Sequence, residues 1–275
     1  MTVIMFWNLH ESSVTLDDRV IDYAVFGKGT TPLVIIPGLS LRDVRGAGAG
    51  LALMYRMFAR DYRVYIIDKA ADIPDGCTVA DLARDTADAM RALGIADACV
   101  IGVSLGGMIA QEIAVCAPNL VKKLVLGVTA SRTNDTMRAV VGHWIDLAES
   151  GDFGGIVRDM LTVMYSEDYV RRYGWLFSLL APFAKPKNEV RFLRLAKACL
   201  SCDVYDRLDR ITSPTLVLGG ADDQIVTGAA SLEIAERCGC TVHLYDGLGH
   251  AAYEEAADFN ARIYDFLQKS AEING

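Results

Sequence analysis

The stretch Cys99–Ala114, CVIGVSLGGMIAQEIA, places one serine between glycines where two hydrophobic patterns meet. The residues before Ser104 form a short apolar run typical of a buried strand, and those after it repeat apolar side chains at helical spacing. Gly102 and Gly106 complete a Gly-x-Ser-x-Gly match in this strand-turn-helix setting, where larger side chains would collide in the tight turn. The stretch therefore predicts that Ser104 projects above a sheet as a nucleophile, rather than serving only as a turn residue.

A serine hydroxyl needs a base to accept its proton, so a histidine must lie beside it. The sequence has four histidines. His250 is the preferred candidate, because it lies in a glycine-containing loop, DGLGHAAYEE, between an expected strand and the final helix. The other three histidines are expected to be structural or surface residues. His10 lies in the N-terminal segment before the sheet, His143 in the helical middle and His243 in a strand.

An acid is expected to orient the histidine, and it should lie on another loop that follows a strand. Two neighbouring aspartates, Asp222 and Asp223, come directly after the apolar run TLVLGG. An aspartate after glycine is also common in turns, so one of the two can have only that role. The order serine, aspartate, histidine along the chain is the one found in α/β hydrolases.

The chain outside these motifs alternates between short apolar runs and amphipathic helical patterns. Strands are predicted near residues 19–29, 32–38, 63–68, 98–103, 122–128, 214–220 and 240–247. Between two of them, Thr78 is the expected N-cap and Gly94 the expected end of a helix. Nearly continuous apolar strands that alternate with helices predict an α/β fold, with a mostly parallel central sheet flanked by helices.

The strand pattern stops in the middle of the chain. Residues 131–205 are expected to form an inserted helical cap subdomain, and residues 1–130 and 206–275 the core domain; additional core helices are the alternative. The cap is rich in aromatic residues, more than half of which are expected to pack in its own small core while others line an apolar pocket. These residues are Trp144, Phe153, Tyr165, Tyr173, Trp175, Phe177, Phe183 and Phe192.

Composition excludes several classes of function. The formal charge of −8 and the absence of a basic run argue against a nucleic-acid partner. No apolar run approaches the roughly 18 residues of a membrane span, and no leader is recognisable, so a cytoplasmic enzyme is expected. The seven cysteines are expected to be reduced thiols. The pairs Cys199 and Cys202, and Cys238 and Cys240, lack nearby histidines, so no metal site is predicted.

The sequence resembles the α/β-hydrolase fold superfamily from about Val20 to Leu267. The resemblance is carried by GVSLGG, GADDQIV and GLGHAAYEE, in that order. It implies a triad of Ser104, Asp223 and His250 that acts without a metal or an organic cofactor. The family's acid usually follows a glycine by three residues, which selects Asp223 when counted from Gly220, although a count from the preceding glycine selects Asp222.

The resemblance also implies an oxyanion hole made of backbone N–H groups. Relatives commonly carry His-Gly-x after their third strand, whereas this chain has VIIPGLS, with Pro37 in place of the histidine. The N–H groups of Leu39 and Leu105 are the expected donors, since a backbone donor needs no particular side chain. A second departure is YIIDKAAD, where relatives often show a longer glycine-rich stretch after the aspartate.

The predicted activity is hydrolysis of a carboxylic ester, lactone or thioester of a small, partly apolar molecule through an acyl-enzyme on Ser104. The same triad could serve carbon–carbon bond hydrolysis, acyl transfer or cofactor-free perhydrolysis, because fold does not fix function. A ligand-binding protein with little turnover is the alternative of another class. Serine in the elbow disfavours dehalogenases and epoxide hydrolases, which need a carboxylate nucleophile there. Arg42 and Arg45 are expected to be surface residues.

Overall fold

An eight-stranded sheet forms the centre of the computed structural model, which describes residues 7–17, 19–183 and 185–269. Its strands are β1 (His10–Leu16), β2 (Arg19–Phe26), β3 (Thr31–Ile36), β4 (Tyr62–Ala70), β5 (Ala98–Val103), β6 (Val121–Gly127), β7 (Thr215–Gly220) and β8 (Thr241–Tyr245). They lie in the order β1-β2-β4-β3-β5-β6-β7-β8. The pairs β1–β2 and β2–β4 are antiparallel, and every later pair is parallel. The mostly parallel sheet expected from the sequence is confirmed.

The first strand corrects one expectation. His10 does not precede the sheet but begins β1, where it pairs with Val25 of β2. The sequence HESSVTL is polar and carries no buried residue. It is held in the sheet by its antiparallel pairing with β2 rather than by an apolar face, which is why its hydrophobic pattern gave no strand signal.

Ten α-helices connect and follow the strands in the described part of the chain. They are α1 (Gly48–Met54), α2 (Val79–Ala92), α3 (Leu105–Cys116), α4 (Asp135–Glu149), α5 (Phe153–Met164), α6 (Glu167–Leu180), α7 (Glu189–Cys199), α8 (Gly228–Cys238), α9 (Ala252–Glu255) and α10 (Phe259–Gln268). Short 3₁₀ segments occur at Arg56–Arg60, Pro118–Leu120, Ala181–Phe183 and Tyr205–Arg210. Thr78 caps α2 in a reciprocal capping box with Asp81, and Gly94 follows that helix with a φ of +69°.

The helices enclose two hydrophobic cores, one on each face of the sheet. One core contains side chains of α2, α3 and α8, and the other contains the 3₁₀ residue Phe58 and side chains of α10. Helices α4 to α7 lie between β6 and β7 in sequence, and their buried residues, such as Trp144 and Phe192, continue the first core. This places the inserted helices beside the carboxyl ends of the parallel strands.

The segment after the His250 loop forms two helices, α9 and α10, rather than the single final helix that the sequence suggests. Ala256 has an extended backbone, with φ −75° and ψ 113°, and this turns the chain between α9 and α10. The turn lets Phe259 and Ile263 pack into the core while α9 stays beside the loop of His250. Within residues 7–17, 19–183 and 185–269, none of the helices is both long and apolar enough to cross a bilayer.

Candidate active site

Ser104 lies on a sharp turn between β5 and α3. Its backbone has φ 54° and ψ −121°, a strained conformation for a residue with a side chain. Two hydrogen bonds hold the turn: the Ser104 N–H donates to Gly127 O over 2.9 Å, and the Thr129 hydroxyl donates to Ser104 O over 2.7 Å. The strained turn is therefore held in place by β6 and by the loop that follows it.

The two glycines of the motif are required by close backbone contacts. A Cβ on Gly106 would lie 1.9 Å from Ile36 O, and a Cβ on Gly102 would lie 2.4 Å from Gly106 O. Both distances are far below van der Waals contact, so neither position can hold a side chain without moving β3 or α3.

His250 lies in the loop between β8 and α9, and its Nε2 is 2.9 Å from Ser104 Oγ. On the other side of the ring, Nδ1 is 2.8 Å from Asp223 Oδ2. A carboxylate can only accept, so Nδ1 carries the proton and Nε2 is free to accept from the serine hydroxyl. The imidazole is buried, with 4% of its residue surface exposed, so bulk water does not compete strongly for these bonds.

The structure distinguishes the two aspartates. Asp223 is buried and its Oδ1 accepts the N–H groups of Ile225 and Val226 at 2.8 and 3.0 Å, while Asp222 is exposed. Burial raises the pKa of Asp223, but His250 and the two N–H donors lower it more, so the pKa lies below its ordinary value. Asp223 is thus ionised and fixed toward His250 at neutral pH.

The two residues expected to supply N–H donors of an oxyanion hole, Leu39 and Leu105, both lie near the serine. Leu105 is the first residue of α3, so its N–H has no partner within the helix. Leu39 lines the same cavity as Ser104. The preceding Gly38 is so close that a Cβ built on it would lie 3.1 Å from Ser104 Cβ.

Lys69, a residue that lies in none of the sequence motifs, contacts this loop. Its ammonium donates to Pro37 O over 2.5 Å and to Gly38 O over 2.8 Å. Lys69 is buried at the end of β4, and burial lowers its pKa to about 8, partly opposed by Asp68. In the sequence, Lys69 stands out only as the residue after Asp68, at the end of the run RVYIID.

The cavity beside Ser104 is apolar and has a volume of about 40 Å³, room for only a few water molecules. Its lining includes Ser104, His250, Leu39, Trp144, Tyr253 and four methionines, Met108, Met137, Met160 and Met164. Of the aromatic residues noted in the helical insertion, only Trp144 lines this cavity. Phe153 and Phe192 instead pack on each other, and Trp175 and Phe183 are 68% and 80% exposed.

The cationic side chains noted after Leu39 lie away from this cavity. Arg45 pairs with Asp22 at 3.6 Å, and Arg42 is exposed beside a different depression. All seven cysteines are free thiols. In the part of the chain that the structure describes, no group of three or more His, Cys, Asp or Glu side chains is arranged to hold a metal ion.

This geometry can perform nucleophilic chemistry. A hydroxyl on a strained turn faces an imidazole whose other nitrogen is held by a buried carboxylate, Leu105 follows the serine as the first residue of α3, and Leu39 lines the same cavity. Such an arrangement suits attack on a carbonyl carbon with proton transfer to the imidazole.

Comparisons with known proteins give relatives with several different names. A putative non-heme haloperoxidase of Mycobacterium phage D29 is 31% identical over 248 residues, which cover 86% of this chain and 87% of the relative. A putative carbamate hydrolase, RutD, of Rhizobium rhizogenes strain K84 is 27% identical, over 83% of this chain and 91% of the relative.

Solved structures show the same fold. MGS-M2, an alpha/beta hydrolase enzyme from a Medee basin deep-sea metagenome library, superposes with a TM-score of 0.85 at 21% identity, covering 94% of this chain and 98% of that one. The enol-lactonase from Burkholderia xenovorans LB400 gives 0.81 at 20% identity, covering 94% and 100%. At these identities the likeness concerns the fold alone. The model of the alpha/beta hydrolase family, however, matches residues 33–262, and the chain therefore belongs to that family.

Proposed function

We propose that the protein is a serine hydrolase that cleaves a carboxylic ester, lactone or thioester of a small, partly apolar molecule. The observation that carries the proposal is the continuous hydrogen-bond chain from Ser104 Oγ through His250 to Asp223, beside an apolar cavity. Family membership supports hydrolysis in general, and the names of relatives include a carbamate hydrolase and an enol-lactonase.

In the proposed mechanism, Ser104 Oγ attacks the carbonyl carbon while His250 Nε2 takes the hydroxyl proton. Asp223 keeps the ring oriented and stabilises the imidazolium that forms. The Leu39 and Leu105 N–H groups bind the oxyanion, each contributing about 3 kcal/mol in comparable sites. The imidazolium then protonates the leaving group, and the same base activates water to hydrolyse the acyl-enzyme. Apart from the substrate and one water molecule, these steps use only side chains and backbone groups of this chain.

The cavity supports a restricted substrate class. Its volume of about 40 Å³ and its methionine lining suit a short apolar acyl group. Methionine side chains adjust their shape readily, so somewhat larger groups can enter by displacing them. The helical insertion, residues 131–205, forms the cap of the site in this proposal, because Met137, Trp144 and Met160 come from it. A cytoplasmic location is also proposed, since seven free cysteines suit a reducing compartment.

A fluorophosphonate probe tests the nucleophile directly. Purified protein is incubated with the probe, and the labelled peptide is located by mass spectrometry, with Ser104→Ala as control. We expect one label, on Ser104, and loss of p-nitrophenyl acetate hydrolysis in the variant, whose cooperative thermal unfolding is retained. Ester turnover at the wild-type rate in Ser104→Ala would falsify the mechanism. Folded wild-type protein that takes no label favours a ligand-binding role.

Perhydrolysis on the same serine is a second candidate, favoured by the 31% identical relative named as a haloperoxidase. Here hydrogen peroxide instead of water attacks the acyl-enzyme, which releases a peracid and restores the serine hydroxyl. The peracid then oxidises bromide. Bromide oxidation that requires acetate, hydrogen peroxide and Ser104 supports this reaction. If the protein hydrolyses esters but does not oxidise bromide, only the hydrolase proposal is supported.

A further inference from the structure

We propose that Lys69 is a positioning residue for the oxyanion hole: its ammonium fixes and polarises the Gly38–Leu39 peptide, so that the Leu39 N–H points at the oxyanion. The inference rests on the proposed function and names a residue outside the predicted triad. It starts from the two hydrogen bonds that the Lys69 ammonium donates, to Pro37 O and Gly38 O.

The second of these bonds concerns the peptide unit of the proposed donor. The carbonyl of Gly38 and the N–H of Leu39 belong to one planar group, and this peptide is trans. In a trans peptide the C=O and N–H bonds point in opposite directions. An ammonium fixed on Gly38 O therefore sets the direction of the Leu39 N–H. It also draws electron density toward the oxygen, which makes that N–H a stronger donor.

The loop is held at further points by charged side chains around Lys69. Asp68 Oδ2 accepts the Val44 N–H at 2.8 Å, and Asp43 binds Arg191 of α7 at 2.9 Å. The same arginine donates to Asp68 Oδ1 and to Lys69 O, both at 2.9 Å. The loop after β3 is thus tied at both ends to the carboxyl end of β4, and Lys69 holds the end nearest Ser104.

This arrangement compensates for a feature of the loop's own sequence. Pro37 has neither a side-chain donor nor a backbone N–H. Lys69 supplies donors from a neighbouring strand instead. Burial of its ammonium is unfavourable unless strong acceptors compensate, and the two carbonyls are those acceptors. Because these acceptors belong to the loop that lies against Ser104, Lys69 points to a requirement of the site rather than of the core.

The chain offers a matched control. Lys123 of β6 is also buried and also donates to backbone carbonyls, of Phe266, Leu267 and Lys269, but it lies near the amino end of its strand. Lys69→Met and Lys123→Met each remove a buried ammonium and leave carbonyls without a donor. Both variants are expected to melt at a lower temperature than the wild type.

The experiment measures kcat and KM for p-nitrophenyl acetate and butyrate, together with the rate of fluorophosphonate labelling. We expect Lys69→Met to lose about tenfold or more in kcat, with KM changed less than twofold, because a displaced donor weakens only the transition state. Labelling of Ser104 should slow in parallel. Lys123→Met should keep the wild-type kcat despite its lower stability.

Lys69→Gln is measured beside these variants. Its amide still donates but is shorter and uncharged, so we expect partial recovery of kcat over Lys69→Met, and this variant decides the question if Lys69→Met does not fold. Wild-type kcat in folded Lys69→Met, or in Lys69→Gln where Lys69→Met does not fold, overturns the role of Lys69, as does an equal loss in Lys123→Met; the proposed hydrolase is then unaffected. Wild-type protein without labelling or ester turnover overturns the proposed hydrolase together with this inference.

Discussion

At the scale of single residues, the neighbouring aspartates Asp222 and Asp223 are expected to respond very differently to substitution. Asp223→Asn keeps the shape of the side chain but presents an amide to His250 Nδ1, which favours the wrong tautomer. We expect kcat for p-nitrophenyl acetate to fall by about 10³–10⁴-fold. Asp222→Asn, one residue away and exposed, should stay within about twofold. A larger loss in Asp222→Asn than in Asp223→Asn would contradict the assignment.

The lowered pKa of Lys69 predicts how the free energy of unfolding changes with pH. Burial lowers its pKa from 10.5 to about 8, so between these values the unfolded chain binds more protons at this residue than the folded protein does. The free energy of unfolding of the wild type, relative to Lys69→Met, should therefore rise with pH across this window.

Urea denaturation of both proteins at pH 7.5, 9 and 10 measures this difference. The charged or titratable groups that act on Lys69 are Asp68, Arg191 and Cys199, and burial raises the pKa of the Cys199 thiol to about 12, above the window. Because these groups are present in both proteins, their own titrations largely cancel. A difference that stays flat from pH 7.5 to 10 would show that the ammonium is not desolvated.

These residues also show what the sequence could and could not predict. Ser104 and His250 each lie in a local motif, so a few neighbouring letters were enough to select them. Asp223 and Asp222 fit the same local pattern, and only burial and the bond to His250 separate them. Lys69 has no motif, because its contacts depend on β4 lying beside β3, a pairing between distant segments.

At the scale of elements, the turn between β5 and α3 tolerates no added volume. Gly106 lies in the first turn of α3, and Gly142 lies within α4, where a Cβ would meet no atom within 4 Å. Alanine usually stabilises a helix relative to glycine, so Gly142→Ala should raise the free energy of unfolding by about 0.5–1 kcal/mol. Gly106→Ala should lower it by about 1–3 kcal/mol, as overpacking does.

Chemical denaturation of the two variants measures these opposite effects, and fluorophosphonate labelling adds a local readout. In Gly106→Ala the turn must move away from Ile36 O, which displaces Ser104 and slows its labelling. Gly142→Ala should label at the wild-type rate. Equal stability changes in the two variants would mean that the turn relaxes without consequence.

The elements that the sequence predicted correctly are those with strong periodic patterns. The amphipathic run of α2, with its Thr78 cap, and the apolar strands β3 to β7 fall where expected. Strand β1 was missed because it has no buried face, and pairing alone defines it. The break between α9 and α10 was missed because Ala256 is compatible with a helix and leaves it only to satisfy the packing of Phe259.

At the scale of the whole molecule, the helical insertion is tied to the loop that carries His250. The Ala251 N–H donates to Met164 O over 2.8 Å, and the Ser166 N–H donates to Glu255 Oε1 over 3.0 Å. The Ser166 hydroxyl donates to the same carboxylate over 2.5 Å and accepts the Tyr169 N–H as the cap of α6. The start of α6 and the region around His250 therefore form one connected unit.

These hydrogen bonds predict which part of the molecule unfolds locally most easily. Helix α6 buries none of its residues in the core, so its cap and these bonds are expected to contribute much of its local stability. Ser166→Ala should cost about 1 kcal/mol locally, which corresponds to about fivefold faster amide exchange in α6. Amides of α2 and α3, which are packed on the sheet, should exchange at wild-type rates.

Hydrogen exchange followed by mass spectrometry measures both regions in one experiment. Ser150→Ala is the matched control, since the Ser150 hydroxyl donates to Leu147 O at the end of α4 rather than to a residue of α9 or of the His250 loop. Its α6 peptides should exchange as in the wild type. Unchanged α6 exchange in Ser166→Ala would show that contacts other than the cap hold the helix. Faster exchange there, with slower labelling of Ser104, would show that order in the insertion is transmitted to His250.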